Sequence, residues 1–237
     1  MSFVKNFFLG LIISLFALTF TAFVLIHSAQ TSFLDPVFVV SALDSSQVSK
    51  EAYASVPQLS SVVSEQEFTQ SFKQFISDLI HYIKGSSNVI PTFSLPNTPV
   101  NLSLEQVAKP ETLQEARSWI VLLNSLLPFL AIIGIVILFI LLLLSSSLKD
   151  KIETLQKTFW RAGISMLISS ALAYVLLTFS GNNLFPNSES LASLSQFLSI
   201  LLNKFLINSI ILALIPTILG IVLFFAKKSI PSPNESN

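Results

Sequence analysis

Four long apolar runs dominate the sequence and limit what the chain can fold into. They cover residues 7–26, 119–144, 162–179 and 205–226. A helix rises 1.5 Å per residue, so about 20 residues cross the roughly 30 Å of hydrocarbon in a bilayer. Charged residues make up only 11% of the chain, whereas soluble domains carry roughly 25%. The runs therefore predict an all-α integral membrane protein with four transmembrane helices.

The first run has a second interpretation as a cleaved signal peptide. Signal peptides have shorter apolar cores, of about 7–15 residues, and they end at small residues with the spacing small-x-small. The run at 7–26 is longer, and the IHSAQ that follows is a poor cleavage site. We expect this run to remain in the protein as its first membrane helix.

A single charge, Lys204, interrupts the apolar stretch 191–226. As one helix these roughly 36 residues would measure about 54 Å, more than one bilayer needs. Residues 205–226 already form a complete span, so Lys204 falls at its outer end, after an amphipathic segment. We expect a membrane-interface anchor there, with the ammonium group among the lipid headgroups. The alternative, a functional charge buried in the membrane, would need a partner of opposite charge.

Lysine and arginine residues predict the orientation of the four helices. Lys5, the basic loop between the second and third runs, and the basic start of the tail would all lie on one side of the membrane. Positive charge accumulates on the cytoplasmic side, and the absence of cysteine favours a prokaryotic cell membrane. The predicted cytoplasmic segments are 1–6, 145–161 and 227–237. The predicted extracytoplasmic segments are a small domain at 27–118 and a loop with the amphipathic segment at 180–204.

The extracytoplasmic segment 27–118 is long enough for a small domain, and its patterns predict mostly helices. Ser64 and Glu67 have the spacing of a capping box, and Gly85 supplies the stop of the helix they begin. Asp35 with Pro36 is typical of a second, shorter helix start. Three prolines within residues 91–99 predict extended chain that can form a short edge strand.

Two further helical patterns lie in the same segment. Residues 47–57 predict another short helix, and a helix that begins near Pro110 should continue into the second span because no residue between them stops it. The helix after Ser64 carries apolar residues at three- and four-residue steps. The domain, lipid or a partner must cover this face, and we expect it to be a partner-binding face made of Phe68, Phe72, Phe75 and Leu79.

Two patterns predict contacts of the membrane helices. Small residues recur every four positions in the third run, and such stripes let helix backbones approach closely in lipid; they are Ser165, Ser169 and Ala173. Aromatic and basic residues at the predicted boundaries are typical of interface anchors. The predicted anchors are Trp119, Trp160, Lys204, Lys227 and Lys228.

No pattern of catalytic or ligand-binding residues stands out. His27 and His81 are the two histidines; His27 falls at a membrane boundary, and His81 with Asp78 reads as a surface pair on the helix. The chain has no cysteine, no HExxH, no GxSxG and no glycine-rich phosphate loop. We expect no enzymatic activity, no cofactor, no metal and no nucleic-acid partner.

These observations favour a non-enzymatic envelope protein that acts as a scaffold, a sensor or a partner-binding protein through its extracytoplasmic domain. Its expected partners are membrane lipid and either another protein or a second copy of the chain. The loop 145–161 has the pattern of a short amphipathic helix, and its lysines are expected to contact anionic lipid, with a protein partner as the alternative. A transporter or channel subunit is the first alternative function, and an accessory of an intramembrane enzyme is the second. A transporter should have a polar cavity between its helices at mid-membrane, whereas a scaffold should have a packed bundle and an exposed apolar patch on its extracytoplasmic domain.

Overall fold

The structure is a computed structural model that describes residues 2–96, 98, 101–103, 109–184 and 192–230, with the backbone alone described at 2–3, 59, 101–102, 110 and 176–184. The described residues form seven α-helices, one 3-10 turn and a two-stranded antiparallel sheet. The helices are α1 (Ser2–Phe33), α2 (Pro36–Ser46), α3 (Val48–Ala54), α4 (Glu65–Ile83), α5 (Pro110–Leu144), α6 (Leu148–Leu184) and α7 (Ala192–Lys228). The 3-10 turn is Pro57–Ser61, and the strands are β1 (Thr92–Ser94) and β2 (Asn101–Ser103).

Three helices are long and apolar enough to cross a membrane: Val4–Phe33, Glu111–Leu144 and Ala192–Lys228. They contain the first, second and fourth predicted spans. The third predicted span, 162–179, lies in α6, whose described side chains end at Val175. A membrane protein is thus supported, and the third predicted span, which would bring the number to four, stays a prediction.

The long helices run through several of the predicted boundaries. The prediction that one helix leads from Pro110 into the second span is confirmed, since α5 continues to Leu144. The loop predicted at 145–161 is helical from Leu148 onward and joins the third apolar run in α6. Helix α7 also passes Lys204 without a break, because no glycine or proline interrupts it before Pro216. Of the loop predicted at 180–204, residues 185–191 lie outside the described part of the chain.

The chain divides into two compact units, which we describe separately. The first unit comprises residues 1–28, 126–175 and 206–237. Two clusters of buried apolar side chains pack its helices, one joining α1, α5 and α6 and one joining α1, α6 and α7. The first cluster is Ile13, Phe16, Ile137, Leu141 and Ala162, and the second is Val24, Met166 and Ala213.

Glycines bring α6 and α7 into backbone contact within the first unit. A β-carbon on Gly163 would lie 2.7 Å from the backbone nitrogen of Thr217, and one on Gly220 would lie 3.1 Å from that of Trp160. Such approaches leave no room for a side chain. The packed face of α6 therefore contains Gly163, and the predicted stripe is displaced from it, since Ser165 and Ser169 are exposed and Ala173 is half-buried. Packing of that stripe against another chain stays a prediction.

The second unit comprises residues 29–125 and 176–205. The predicted helix signals are confirmed: the Asp35 side chain accepts hydrogen bonds from the amides of residues 37 and 38, and Ser64 and Glu67 form a complete capping box. Gly85 follows the end of α4 with a φ of +79°, a conformation that glycine adopts without strain. The extended chain after α4 pairs as β1 and β2, with Phe93 opposite Leu102.

The first part of α7 packs against the short helices of the second unit. Leu201 joins a buried cluster with Val39 and Ala42 of α2 and Ile80 of α4. Ser193 Oγ donates a hydrogen bond to the Glu51 carboxylate, and Gln196 donates to the Ser45 carbonyl. The segment 192–204, predicted as an amphipathic approach to the membrane, therefore supplies Phe197, Ile200 and Leu201 to the core of this unit, whereas Leu194 is exposed.

Candidate partner-binding groove

Aromatic stacking fixes strand β1 on helix α4. The ring of Phe93 in β1 contacts three phenylalanine rings of α4, at centroid distances of 5.7, 6.4 and 5.8 Å for Phe68, Phe72 and Phe75. Edge-to-face pairs such as these add about 0.5–1.5 kcal/mol each beyond the area they bury. Alternate side chains of a strand point to opposite faces. Phe93 therefore faces α4, whereas its neighbours Thr92 and Ser94 are exposed.

A groove runs along the polar side of α4 beside β1. It consists of two adjoining cavities of about 380 and 420 Å³, which share Asp78 and Thr92. Of the fifteen residues that line the groove, seven carry neutral hydrogen-bonding groups, two carry carboxylates, one carries an imidazole and five are apolar. The lining residues are Glu67, Gln70, Ser71, Gln74, Phe75, Asp78, His81, Ser86, Ser87, Val89, Ile90, Pro91, Thr92, Ser94 and Pro96.

Arg117 of α5 holds the loop that closes one end of the groove. Its guanidinium donates hydrogen bonds to the Ser87 carbonyl, at 3.1 Å, and to the Asn88 side chain. The same group lies 4.7 Å from the centroid of the Tyr82 ring, a distance at which the ring attracts a cation. The sequence analysis did not predict this role for Arg117. The available signal was that Arg117, one of only two arginines in the chain, lies in a polar segment beside a predicted span.

The two carboxylates of the groove are held by local hydrogen bonds. Glu67 closes the capping box at the start of α4, and the hydrogen bond from the Ser64 side chain lowers the pKa of that carboxyl below its ordinary value. Asp78 accepts a hydrogen bond of 2.9 Å from Gln74, one turn earlier in the helix. Both groups are therefore fixed acceptors on one side of α4.

His81 and Ser86 form a hydrogen-bonded pair that is unsuited to nucleophilic catalysis. The Ser86 hydroxyl donates to the His81 carbonyl at 2.9 Å, and its oxygen lies 3.1 Å from His81 Nδ1. Since the hydroxyl proton is directed at the carbonyl, Nδ1 is the donor in the second contact, and His81 does not serve as a base for the Ser86 hydroxyl in this arrangement. The predicted pair of Asp78 and His81 lines one cavity, but the two side chains make their hydrogen bonds to Gln74 and Ser86.

The rest of the domain covers most of the predicted partner-binding face. Phe68 is buried in a cluster with Val63 and Leu95, and Phe72 packs against that cluster. Phe75 and Leu79 are half-buried, and Phe75 lines the groove. The sequence left open whether the domain, lipid or a partner covers this face. The domain itself covers most of it, and Phe75 lies next to the open groove.

The predicted interface anchors do not line the groove. Trp119 and Trp160 are exposed, at 59% and 41%. Lys204 places its ammonium 5.4 Å from the Phe38 ring centroid, so it has a contact within the second unit beyond the anchoring role expected of it. In the first unit, Lys227 pairs with Glu153 at 2.7 Å, and Lys228 lies over the ring of Phe224.

His27, the other candidate for acid–base work, lies on α1. Its ring stacks on that of Phe23, with 6.0 Å between the centroids, and it is half-buried. Among the described residues no three His, Asp or Glu side chains come close enough together to hold a metal ion. The groove beside α4 is a concave surface of the second unit that brings ten polar side chains together.

No protein-family model, no curated protein and no solved structure matches the chain.

Proposed function

We propose that the chain is a multi-pass protein of a prokaryotic cell membrane that binds a partner in the envelope through the groove beside α4. In this proposal the chain crosses the membrane four times, with both termini in the cytoplasm and the domain at 27–118 outside. It is not an enzyme, and its role is that of a scaffold, a sensor or a partner-binding protein. The groove is the observation that carries the proposal.

The construction of the groove supports a binding role. Its walls are two regular elements held together by aromatic contacts, and the Arg117 contacts fix the loop at its end. A surface that is already ordered loses little conformational entropy when a ligand binds. The exposed amides of Gln70 and Gln74 and the exposed hydroxyl of Thr92 supply donors and acceptors along it.

The exposed apolar residues of α5 support membrane lipid as the second partner. Phe129, Ile132, Ile135 and Phe139 are 57–67% exposed. They occupy a helix that is long and apolar enough to span a bilayer, and hydrocarbon is the natural cover for such a surface. The packing of α1, α6 and α7 through apolar clusters and glycines favours a helix bundle over the transporter alternative.

A position-specific crosslink tests the groove. Gln66 and Gln70 are both exposed glutamines on α4, but Gln70 lines the groove whereas Gln66 does not. Each is replaced in the full-length protein, in its native membrane, by the photoreactive residue p-benzoylphenylalanine. We expect a discrete crosslinked product from position 70 and none from position 66.

Two results would count against the proposal. Equal crosslinking from positions 66 and 70 would show that the groove does not select a partner. The absence of any discrete product, together with solute movement by the purified protein in liposomes, would favour the transporter. A product with twice the mass of the chain would identify a second copy as the partner.

A further inference from the structure

Another cavity, of about 340 Å³, lies in the first unit where three helix ends meet. It is formed by the start of α1, the end of α5 and the start of α6. The residues that line it are Lys5, Asn6, Leu9, Leu144, Ser145, Asp150, Glu153, Thr154 and Lys157. The apolar run of α1 begins at Phe7 and that of α5 ends at Leu144, so the cavity lies at the level where the hydrocarbon layer meets the headgroups.

The cavity is lined by two lysines and two carboxylates, and half of this charge is already paired. One oxygen of Glu153 lies 2.7 Å from the ammonium of Lys157, and its other oxygen lies 2.7 Å from that of Lys227. These hydrogen bonds, with that of Lys157 the stronger, lower the pKa of the Glu153 carboxyl. Glu153 and Lys157 therefore form a paired wall of the cavity.

Lys5 and Asp150 are the charges that remain for a ligand. Asp150 accepts hydrogen bonds from Ser146, on Oδ2, and from Ser147, which lower the pKa of its carboxyl, and it remains exposed at the cavity wall. Lys5 makes no ion pair within 4.0 Å in the part of the chain that the structure describes, although its charge acts on Asp150 from a distance. Asn6 adds an amide that both donates and accepts.

We propose that this cavity binds the headgroup of a zwitterionic phospholipid with a primary ammonium, phosphatidylethanolamine. The phosphate accepts hydrogen bonds from Lys5 and Asn6, and the ammonium donates to Asp150. Leu9 and Leu144 face the start of the acyl chains. The sequence predicts anionic lipid for the lysines of this region, but two carboxylates in the same cavity oppose a ligand of purely negative charge.

Lipid binding to the purified full-length protein tests the proposal. The protein in mild detergent is mixed with equal amounts of phosphatidylethanolamine, phosphatidylcholine and phosphatidylglycerol, and bound lipids are counted by native mass spectrometry. We expect phosphatidylethanolamine to be preferred, because the trimethylated ammonium of phosphatidylcholine cannot donate a hydrogen bond and phosphatidylglycerol has no ammonium.

Two substitutions test the phosphate contact and the ammonium contact of the headgroup separately. Lys5→Gln removes the phosphate contact and should weaken binding of all three lipids by about tenfold, the usual effect of losing one charge-assisted hydrogen bond. Lys5→Arg keeps the positive charge and should bind all three lipids as the wild type does. Asp150→Asn should lower the binding of phosphatidylethanolamine alone, to the level of phosphatidylcholine. Lys151→Gln and Glu115→Gln change the same charges outside the cavity and should have no effect.

Several outcomes would overturn the proposal. They are a preference for phosphatidylglycerol, equal loss of all lipids in Asp150→Asn, or unchanged binding in a Lys5→Gln protein that elutes as a folded species. Displacement of the lipid by an equal concentration of water-soluble phosphoethanolamine would also overturn it, since the occupant would then be a soluble phosphoamine. None of these results bears on the groove beside α4, whose crosslinking test is independent.

Discussion

Glycine-to-alanine substitutions at four positions in the long helices make the most direct test of how the first unit is packed. Adding the same methyl group to Gly10, Gly134, Gly163 and Gly220 places it in four different surroundings. A β-carbon on Gly10 would meet nothing within 4 Å, and one on Gly134 would lie 3.9 Å from the Phe16 ring. At these two positions the substitution should be neutral or stabilise the helix, by up to about 1 kcal/mol.

At Gly163 the new methyl group collides with the backbone of α7. It would lie 2.7 Å from the nitrogen and 3.0 Å from the α-carbon of Thr217, besides contacting the Thr217 hydroxyl. Side-chain rotation cannot relieve a backbone collision, so the helices must separate. Overpacking of this kind costs about 1–3 kcal/mol or more, and the gain in helix propensity offsets about 1 kcal/mol of it. Because this collision is with backbone atoms, its cost falls in the upper part of that range, about 2–3 kcal/mol, and the expected net loss for Gly163→Ala is about 1–2 kcal/mol.

At Gly220 the collision is milder, with 3.1 and 3.3 Å to the backbone nitrogen and α-carbon of Trp160. The stability of Gly220→Ala should therefore fall between that of Gly163→Ala and that of Gly10→Ala. Thermal unfolding in one detergent measures the series, and about 1 kcal/mol corresponds to a shift of roughly 2–4 °C in Tm at this chain length. A Gly163→Ala protein as stable as the wild type, or a Gly10→Ala protein that loses as much, would refute the close crossing of α6 and α7.

Three further substitutions test individual contacts. Lys204→Gln should lower Tm by no more than about 4 °C, because a cation near one ring contributes only about 0.5–1 kcal/mol at an exposed site; a larger loss on thermal unfolding would indicate a buried partner. The pKa of Glu153 is lowered by Lys157 and Lys227 in the folded protein, so its contribution to stability is present above the ordinary value of 4.5 and is lost as the pH falls below it. Glu153→Gln should therefore flatten the acid limb of a plot of Tm against pH, and an unchanged limb would contradict the pairing. Arg117→Met should cost about 2 kcal/mol, because hydrogen bonds to charged groups contribute about 1.5–3 kcal/mol. Amide hydrogen exchange at residues 85–90 should then become faster, and wild-type protection in the variant would exclude a role for Arg117 in ordering that loop.

Local signals in the sequence predicted the starts and ends of the short helices well. The cap at Asp35, the capping box at Ser64 and the stop at Gly85 depend on a few neighbouring residues. Tertiary surroundings seldom override such signals, because the side chain that ends the helix also satisfies the backbone groups exposed there. Helix α5 runs unbroken from Pro110 into the apolar run because no such stop signal lies between them.

Contacts between segments that are distant in the chain could not be predicted from the sequence. Nothing near Phe93 indicates that it packs on the α4 phenylalanines, so a face that seemed available to a partner is largely covered by the domain itself. The close contact of α6 uses Gly163 rather than the more regular stripe at Ser165 and Ser169, because a glycine permits a nearer approach than serine. Spacing along one helix identifies a face, but only the partner helix determines which face is packed.

The proposed four-span topology is tested most directly by labelling single cysteines in intact cells. The chain has no cysteine, so Ser60→Cys, Ser147→Cys and Ser229→Cys each introduce one unique thiol for a membrane-impermeant maleimide. The account predicts that position 60 reacts in intact cells, whereas positions 147 and 229 react only after the membrane is permeabilised. Labelling of position 229 in intact cells, with position 147 still protected, would show that α6 does not cross the membrane and would contradict the four-span arrangement. Protection of position 60 would contradict the placement of the groove outside the cell.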